Sequence, residues 1–569
     1  MQPVDRHCRH ARRTETVKTV LAALMVAAML TGPTLSGAHA ADEAAAPAAG
    51  PSSPAQPQSQ SPSQDASAAR ERLPAPRSVV REIDIAGKPL RYVTTAGSIP
   101  LRDANGALQA EVAYVAYVRR DADDKANPGN GSKSASDGAR GSAAARPITF
   151  VFNGGPGASS AWLNFGALGP RTVSFGNQGD APSDAPLLRD NPETWLPFTD
   201  LVFIDPPGTG FSRLASDKEA LRKNFWSVDG DIKGLARVVS RYLTDNGRLT
   251  SPKYLVGESY GGFRAPKLAS ALQTGEGIGV NGVVMLSPVL DFARLGAQTD
   301  PVIGQAALLP SMAAARLERD GKLTPEALKA AEDYARGPYV ADLLRGPRDA
   351  EAQRRINAKV AEFTGLDPAL VARLGGRLDG RTFSREFRRD GTGKGQNEVV
   401  SQYDGNVSGP DPWPMSLMAR NEDPILDGAQ APLASAAVDE ITRTIGWRPE
   451  GRYHLLSDRV NRGWDWGGGL RPPEALSDLR AALALDPKMK VLVVHGYGDL
   501  VTPYFQSKFD LDSLPAIGGA DRTPLRVYPG GHMFYTRESS RRAFLEDARK
   551  LYPAGKAAET PGAAPERGR

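Results

Sequence analysis

Short, mostly apolar runs of three to five residues recur along much of this chain, and each ends in glycine or polar residues. Such runs are typical of strands that are buried on both faces, as in a parallel sheet covered by helices. Helical segments separate several of the runs. The pattern therefore predicts an α/β fold with a mixed, mostly parallel central sheet and helices on both faces. The runs are Ile148–Phe152, Leu201–Ile204, Tyr254–Val256, Val283–Leu286, Val491–Val494 and Leu525–Tyr528.

Two segments near the start of the chain alternate between apolar and polar positions instead. They are Pro89–Thr95 and Leu108–Val118. The dipeptide Asn105-Gly106 lies between them and is a strong signal for a hairpin turn. We therefore expect two antiparallel strands to open the fold.

Helical signals replace the strand pattern between about residues 296 and 477. Thr324–Glu326 combines an N-cap residue, a proline at the first helical position and an early acid, and Gly337 ends this helix. Asp367-Pro368 and Gly375 bracket a second helix in the same way. We expect residues 296–477 to form an inserted helical cap.

Composition separates the expected folded part of the chain from the rest. Residues 41–76 are rich in Pro, Ala and Ser and are expected to form a disordered linker. Residues 121–146 contain no large aliphatic or aromatic side chain and are expected to form a flexible loop, and residues 554–569 a disordered tail. The predicted core consists of residues 77–295 and 478–553.

The net charge of +5 and the pI near 9.1 first raise nucleic acid or a membrane surface as a partner. Three of these five charges lie in residues 1–40, however. This segment has a basic start, an apolar run over Val20–Leu30 that is too short to span a bilayer, and small residues before an export cleavage point after Ala40. We therefore expect an exported protein, periplasmic or secreted, with no nucleic-acid partner and no stable membrane anchor after cleavage.

Removal of residues 1–40 would also change the set of reactive side chains. It removes Cys8, the only cysteine, and three of the six histidines. The candidates for a catalytic base are then His454, His495 and His532. Because the sequence has no His-x-x-x-His pair, no cysteine cluster and no strong dinucleotide-binding pattern, neither a metal nor an organic cofactor is expected.

The segment Gly257-Glu258-Ser259-Tyr260-Gly261 directly follows one of the apolar runs and is a candidate for catalytic chemistry. A nucleophilic serine on a tight strand-to-helix turn requires small residues two positions before and two positions after it. Gly257 and Gly261 meet this requirement. The same pattern also occurs in ordinary glycine-rich turns, so its interpretation depends on the base and the acid that a serine nucleophile needs.

His532 is the histidine best placed to be that base, because it follows the last predicted strand in a Gly-Gly-His sequence. His495 precedes the candidate acid and is interpreted as structural, and His454 lies in the cap region, where a surface or packing role is expected. Asp499, after the Val491–Val494 run, is the favoured acid on the order of the strands. Asp291 remains the competing candidate.

A second glycine-rich segment, Asn153–Gly157, directly follows the first apolar run. Backbone N–H groups exposed by glycines at this position can stabilise the oxyanion of a tetrahedral intermediate, with the N–H group of Tyr260 as a partner. A phosphate-binding loop is the alternative. It is disfavoured because no G-x-x-x-x-G-K-[ST] pattern follows.

Taken in order, these motifs and five others make the chain similar to serine carboxypeptidases from about residue 148 to residue 536. The five further motifs are Ser159-Ser160, Gly169-Pro170, Asn191–Trp195, Asp205–Ser212 and Gly496–Asp499. The resemblance implies an α/β-hydrolase fold, with Ser259 as nucleophile, His532 as base and Asp499 as the acid that orients it.

The resemblance implies two further sets of roles. Gly155 and Tyr260 would be the backbone oxyanion donors, and Asn153, Gly154 and Glu258 would bind the substrate. In particular, Asn153 and Glu258 would recognise a free C-terminal carboxylate. Glu258 can donate a hydrogen bond only while protonated, and repulsion from the substrate carboxylate is expected to raise its pKa.

Three positions depart from the pattern of the eukaryotic members of this family. They have a Trp, a Cys and a second carboxylate-binding Glu where this chain has Val151, Ala158 and Ala167. The missing Cys agrees with a chain that forms no disulfide. The missing Glu reduces the expectation of a steep acidic pH optimum.

The leading hypothesis is an exported serine carboxypeptidase that releases C-terminal residues from peptides through an acyl-enzyme. An esterase or acyltransferase with the same triad is the first alternative, and a non-catalytic binding protein of the same fold is the second. Peptides with a free C-terminal carboxylate are the expected partners. The sequence leaves the side-chain preference and the oligomeric state open.

Overall fold

All six predicted apolar runs form strands in the computed structural model. The strands are β1 (Arg77–Ile85), β2 (Lys88–Arg102), β3 (Leu108–Arg120), β4 (Ile148–Phe152), β5 (Arg171–Val173), β6 (Leu188–Asp190), β7 (Asp200–Ile204), β8 (Arg213–Leu214), β9 (Lys253–Glu258), β10 (Gly282–Leu286), β11 (Glu398–Val400), β12 (Ser408–Pro410), β13 (Lys490–Gly496) and β14 (Leu525–Tyr528).

The structure describes residues 72–120, 146–174, 188–295, 301–389, 397–416, 422–467, 469, 471–519 and 522–553. The expected signal peptide and tail, and nearly all of the expected linker and flexible loop, lie outside these residues. Within them, ten strands form one sheet in the order β1-β2-β3-β7-β4-β9-β10-β13-β14, with β8 paired to β3. Strands β7, β4, β9, β10, β13 and β14 run parallel to one another, and β1, β2 and β3 are antiparallel.

Along the chain, most helices follow one parallel strand and precede the next, or belong to the long segment between β10 and β13. They are α1 (Ala161–Leu163), α2 (Glu219–Phe225), α3 (Val228–Asp245), α4 (Tyr260–Gly275), α5 (Ile303–Arg319), α6 (Pro325–Arg336), α7 (Pro338–Arg345), α8 (Ala350–Thr364), α9 (Pro368–Arg373), α10 (Gly380–Glu386), α11 (Leu426–Asp439), α12 (Asp458–Arg462), α13 (Leu476–Leu485), α14 (Tyr504–Asp512) and α15 (Glu538–Arg549). Short π-helices span Asn164–Leu168 and Glu440–Thr444, and a 3-10 helix spans Phe534–Thr536. Of the helices in the described ranges, none has both the length and the hydropathy to cross a membrane.

Successive residues of the buried strands face two different apolar layers. In β4, Val151 packs into one layer, whereas Phe150 and Phe152 pack into the other. Helices α3 and α4 cover the face of Phe150, and α11 and α15 cover the face of Val151. The predicted mixed, mostly parallel sheet with helices on both faces is thus confirmed.

The predicted hairpin is confirmed as β2 and β3, with Gly106 at a φ of +82° in the turn. The alternation did not predict β1, which pairs with β2 at the edge of the sheet. Most of its side chains are exposed or half-buried, with Ile83 the one fully buried residue. Val79, Ile83 and Ile85 face the core, but Arg81 takes the inward position between Val79 and Ile83 and interrupts the apolar pattern.

The helix signals in the expected cap are confirmed, because the side chains of Thr324 and Asp367 accept hydrogen bonds from the first amides of α6 and α9. Two features differ from the expectation of a purely helical insertion. The short strands β11 and β12 pair within it. In addition, Leu433 and Trp447 pack into the layer that covers the central sheet. Helix-capping signals are local and carry no information about which surface a helix packs against.

Residues 72–76, which their composition assigns to the linker, lie against the fold. Leu73 is buried and its amide donates to Glu111 at 3.0 Å. The indole N–H of Trp447 donates to the carbonyl of Pro74 at 3.1 Å. Residues 73 and 74 thus belong to the fold, and the boundary predicted at Arg77 is too late.

Candidate active site

Ser259 occupies the sharp turn between β9 and α4. Its φ of +58° and ψ of −122° lie in a region that residues with a side chain rarely adopt. An ideal Cβ on Gly257 would lie 1.9 Å from the carbonyl oxygen of Gly261, and one on Gly261 would lie 2.6 Å from that of Phe152. Only glycine fits at these two positions, as the requirement for small residues around a nucleophilic serine predicts.

His532 and Asp499 form a buried hydrogen-bonded pair on the loops that follow β14 and β13. Nδ1 of His532 donates to Oδ2 of Asp499 at 2.8 Å. Burial opposes protonation of the imidazole, but the carboxylates of Asp499 and, beyond it, Glu258 raise the pKa of His532 overall. The competing acid, Asp291, pairs with Arg294 at 3.5 Å instead. Asp499 is therefore the carboxylate that contacts the imidazole.

The parallel register brings Ser259 and His532 to the same edge of the sheet. The amide of Ser259 donates to the carbonyl of Leu286, the last residue of β10, at 2.9 Å. Ser287 follows, and its amide donates to the carbonyl of Val494 at 2.7 Å while its hydroxyl donates to the carbonyl of His532 at 2.8 Å. The serine and the histidine thus lie on either side of the carboxyl end of β10.

Thr502 belongs to this site, although the sequence did not indicate it. Its hydroxyl lies 2.7 Å from Oδ2 of Asp499, 2.9 Å from Nδ1 of His532 and 3.0 Å from the carbonyl oxygen of Ser287. The amides of Val501 and Thr502 donate to Oδ1 of Asp499, each at 2.9 Å. The spacing Asp-x-x-Thr is common in loops and carries no catalytic signal by itself.

The glycine-rich loop after β4 passes directly against the start of α4. An ideal Cβ on Gly154 would lie 2.6 Å from the backbone nitrogen of Tyr260, and Gly155 has a φ of +101°. The N–H group of Tyr260 is the first of its helix, and such groups have no acceptor within the helix. The N–H groups of Gly155 and Tyr260 thus belong to adjoining segments beside Ser259, as expected for oxyanion donors.

Asn153 and Glu258 contact each other next to the candidate nucleophile. Nδ2 of Asn153 donates to Oε2 of Glu258, and Oδ1 of Asn153 accepts from the amide of Leu163 at 3.0 Å. The hydroxyl of Tyr535 donates to Glu258, lying 3.0 Å from each carboxyl oxygen. Burial raises the pKa of Glu258 to about 7, although His532, Tyr535 and Asn153 each lower it. Burial is therefore the main cause of the raised pKa of Glu258 in the free protein. The sequence predicted a raised pKa from repulsion by a substrate carboxylate instead.

A buried ion pair supports the loop that carries Asn153. Arg264 on α4 donates to Asp231 on α3 at 2.7 Å, and both side chains are 1% exposed. The same guanidinium donates to the carbonyl oxygen of Asn153 at 2.6 Å. Two helices and the glycine-rich loop are thus joined at one cation.

Tyr403 brings the long segment between β10 and β13 into the site. Its carbonyl oxygen accepts from the amide of His532 at 2.6 Å, and its ring stands edge-on to the imidazole with centroids 5.2 Å apart. Nothing in the sequence around Tyr403 marked it, because its contact joins two loops that are far apart along the chain.

The two other candidate histidines have different surroundings, although His495 also contacts the backbone of Thr502. His495 is fully buried and bonds to the hydroxyl of Ser507 at 2.8 Å, and burial lowers its pKa to about 4. His454 is exposed. Across the residues that the structure describes, no group of three or more His, Cys, Asp or Glu side chains is arranged to hold a metal ion.

Residues 137–333 match the family model described as serine carboxypeptidase. Serine carboxypeptidase-like 36 of Arabidopsis thaliana is 32% identical over 127 residues, 22% of this chain and 24% of that protein. The pheromone-processing carboxypeptidase KEX1 of Cryptococcus gattii is 32% identical over 148 residues, 24% of this chain and 19% of that protein. The chain thus spans about a quarter of the length of the curated relatives it matches, or less. The predicted resemblance to serine carboxypeptidases is confirmed over this part of the chain.

A solved structure extends the similarity of fold beyond that region. KEX1ΔP, a prohormone-processing carboxypeptidase from Saccharomyces cerevisiae, has a TM-score of 0.50 and 16% identity, and the match covers 81% of this chain and 91% of that one. At this identity the likeness concerns the fold, and the predicted α/β-hydrolase fold is confirmed. The family match includes Asn153 and Ser259 but ends before Asp499 and His532.

Proposed function

We propose that this chain, which matches serine carboxypeptidases over residues 137–333, is itself a serine carboxypeptidase that releases C-terminal residues from peptides. The observation that carries the proposal is the buried Asn153–Glu258 pair beside Ser259. A triad with an oxyanion hole serves any acyl transfer. A neutral pair of hydrogen-bond donors next to the nucleophile, by contrast, fits a substrate that ends in a free carboxylate.

In the proposed acylation step, Oγ of Ser259 attacks the carbonyl carbon of the last peptide bond while Nε2 of His532 takes the serine proton. Asp499 stabilises the imidazolium that forms, and the N–H groups of Gly155 and Tyr260 donate to the oxyanion. His532 then protonates the leaving amine, so that the C-terminal amino acid departs and the rest of the peptide stays as an ester of Ser259. Water, activated by the same imidazole, hydrolyses this ester and restores the serine.

The proposed carboxylate site explains why cleavage would be restricted to the last residue. Below about pH 7 the carboxyl group of Glu258 is protonated and can donate to the substrate carboxylate. Asn153 has a second amide hydrogen beyond the one that it donates to Glu258. We expect KM for free-acid peptides to rise as the pH rises through about 7, because Glu258 then loses its proton. We expect kcat to fall at lower pH, because His532 must be neutral to accept the serine proton.

N-blocked peptides that end either in a free acid or in an amide test the proposal. We expect kcat/KM of the protein without residues 1–40 to be much larger for the free acid. Ser259→Ala should lower turnover of that substrate by about 10⁶-fold, since the triad acts as a unit. Equal cleavage of acid and amide, or cleavage at internal bonds, would contradict the proposal.

The same assay separates the alternative functions. A larger kcat/KM for a short acyl ester than for the matched peptide would support an esterase or acyltransferase. Failure of a serine-directed phosphonate to label Ser259 would support a non-catalytic binding protein.

We further propose that the protein is exported and cleaved after Ala40. The basic start, the apolar run Val20–Leu30 and the small residues that follow it support this proposal. The N-terminal sequence of the protein recovered outside the cytoplasm should begin at Ala41. An intact N-terminus on the exported protein would contradict it.

A further inference from the structure

Tyr535, like Thr502 and Tyr403, is a residue of the site that no motif of the sequence contains. It lies on the 3-10 helix Phe534–Thr536, three positions after His532, and its side chain is fully buried. Its hydroxyl is 3.0 Å from both Oε1 and Oε2 of Glu258. The hydroxyl therefore contacts both oxygens of the carboxyl group that binds substrate in the proposed mechanism.

Glu258 accepts hydrogen bonds from neutral donors, and Tyr535 is one of them. Among the described residues, the hydrogen-bond donors on this carboxyl group are Asn153 and Tyr535. The π-helix Asn164–Leu168 packs against the 3-10 helix of Tyr535. It contains Ala167, whose methyl side chain cannot donate a hydrogen bond. Both donors are neutral, so no cation compensates the buried carboxylate by direct contact.

Hydrogen bonds from neutral donors favour the ionised form of a carboxyl group, because a bond to the charged form is roughly twice as strong as one to the neutral form. Tyr535 thus opposes the effect of burial on Glu258. The other titratable groups that face Glu258 are His532, Asp499 and Tyr403, from the loops after β14 and β13 and from the segment before β12. Of these residues, Tyr535 alone bonds directly to both oxygens of Glu258.

We propose that Tyr535 is a positioning residue that, through its hydrogen bond to Glu258, sets the upper pH limit for binding of the substrate carboxylate. The proposal rests on the proposed function, in which protonated Glu258 donates to that carboxylate. It also implies that the tyrosine acts on KM for free-acid substrates and leaves the triad chemistry unchanged.

Tyr535→Phe removes the hydroxyl and keeps the ring. We expect the rise of KM with pH, measured for a free-acid peptide, to move upward by about one pH unit, the shift that corresponds to loss of one charge-assisted hydrogen bond. The pH at which kcat/KM for a peptide amide or ester declines should not move upward in this way, because these substrates have no carboxylate. Tyr528→Phe is the matched control. It removes a tyrosine hydroxyl that donates to Asp547, at 2.8 Å, and not to Glu258.

A second variant with the opposite sign keeps the proposal testable if Tyr535→Phe does not fold. Incorporation of 3-fluorotyrosine at position 535 makes the hydroxyl a stronger donor at almost unchanged volume. We expect it to move the rise of KM to lower pH. In a Glu258→Gln background, neither change at position 535 should alter the pH dependence of KM, because the titrating group is gone.

Three results would overturn the proposal while leaving the proposed function intact. They are an unchanged pH dependence of KM in both variants at position 535, shifts of the opposite sign, and the same shifts in the Glu258→Gln background. Lack of preference for free-acid peptides in the unmodified enzyme would instead count against the proposed function. Labelling of Ser259 by a phosphonate establishes that each variant is folded.

Discussion

Asp499 accepts four hydrogen bonds, and two of them come from Thr502. The backbone amides of Val501 and Thr502 hold one carboxylate oxygen, and the Thr502 hydroxyl and the His532 ring hold the other. This arrangement fixes the plane of the carboxylate. It also keeps the proton of the imidazole on Nδ1, which faces Asp499. Nε2 is then the ring nitrogen left to accept a proton, as the proposed mechanism requires. We therefore expect the hydroxyl of Thr502 to help orient the candidate base.

Thr502→Val removes this hydroxyl at nearly constant volume. We expect kcat to fall about tenfold with little change in KM, as for loss of one hydrogen bond of about 1.4 kcal/mol that aligns the base. Steady-state kinetics on a free-acid peptide measure the effect. Thr364→Val, which removes a buried hydroxyl bonded to the carbonyl of Val360 in α8, is the control. An unchanged kcat, or a change confined to KM, would show that Thr502 does not orient the base.

Helices α3 and α4 together hold the glycine-rich loop that carries Asn153. Arg264 of α4 is bonded to Asp231 of α3 and to the carbonyl oxygen of Asn153. Its guanidinium also lies 5.0 Å from the ring centroid of Tyr260. Because the pair is buried, removal of one partner leaves an uncompensated charge in a medium of low polarity. The helix pair and the glycine-rich loop after β4 are therefore both joined to one ion pair.

Arg264→Met tests this support. We expect the free energy of unfolding at neutral pH to fall by about 3–5 kcal/mol, because Asp231 is left buried without its cation. The loss should be smaller at acid pH, where Asp231 binds a proton. Arg241→Met on α3 removes an exposed pair with Asp245 and should cost about 0.5 kcal/mol or less. Equal losses for the two variants in urea denaturation would contradict the role assigned to Arg264.

The molecule as a whole buries several carboxyl groups. Burial raises the pKa of each of Asp205, Glu258 and Asp510 to about 7. Their ordinary values in the unfolded chain are 3.8 for Asp and 4.5 for Glu. Between about pH 4 and pH 7 the folded state thus holds protons that the unfolded state has released. These three groups therefore lower folding stability as the pH rises through this window. His495, whose pKa burial lowers to about 4, acts in the opposite direction but is a single group.

The free energy of unfolding, measured by urea denaturation at a series of pH values, should therefore decrease from about pH 5 to about pH 7. Each of the three groups contributes up to about 1.4 kcal/mol per pH unit within its own window. Asp205→Asn removes one group that titrates and should make the decrease less steep. A stability that rises over this range, and that Asp205→Asn leaves equally steep, would contradict the raised pKa values of these carboxyl groups.

Local patterns along the chain predicted the six parallel strands, the hairpin of β2 and β3, the starts of α6 and α9, and Ser259 as a candidate nucleophile. Runs such as Ile148–Phe152 and the glycines around Ser259 act over a few residues, where covalent geometry and side-chain size decide the conformation. The resemblance in motif order added the α/β-hydrolase fold, which is confirmed. The roles of Ser259, Asp499 and His532 in catalysis stay predictions that the assays above test.

Other features depend on residues that lie far apart in the chain. The register of neighbouring strands and the packing of their loops decide which side chains meet at the site. They bring His532 to Asp499 instead of Asp291. They also place the hydroxyls of Thr502 and Tyr535 and the ring of Tyr403 there. The raised pKa of Glu258 arises from burial, which is a property of the assembled core. Local sequence carries the propensities of single elements, whereas distances between elements and the exclusion of water exist only once the sheet and its helices have come together.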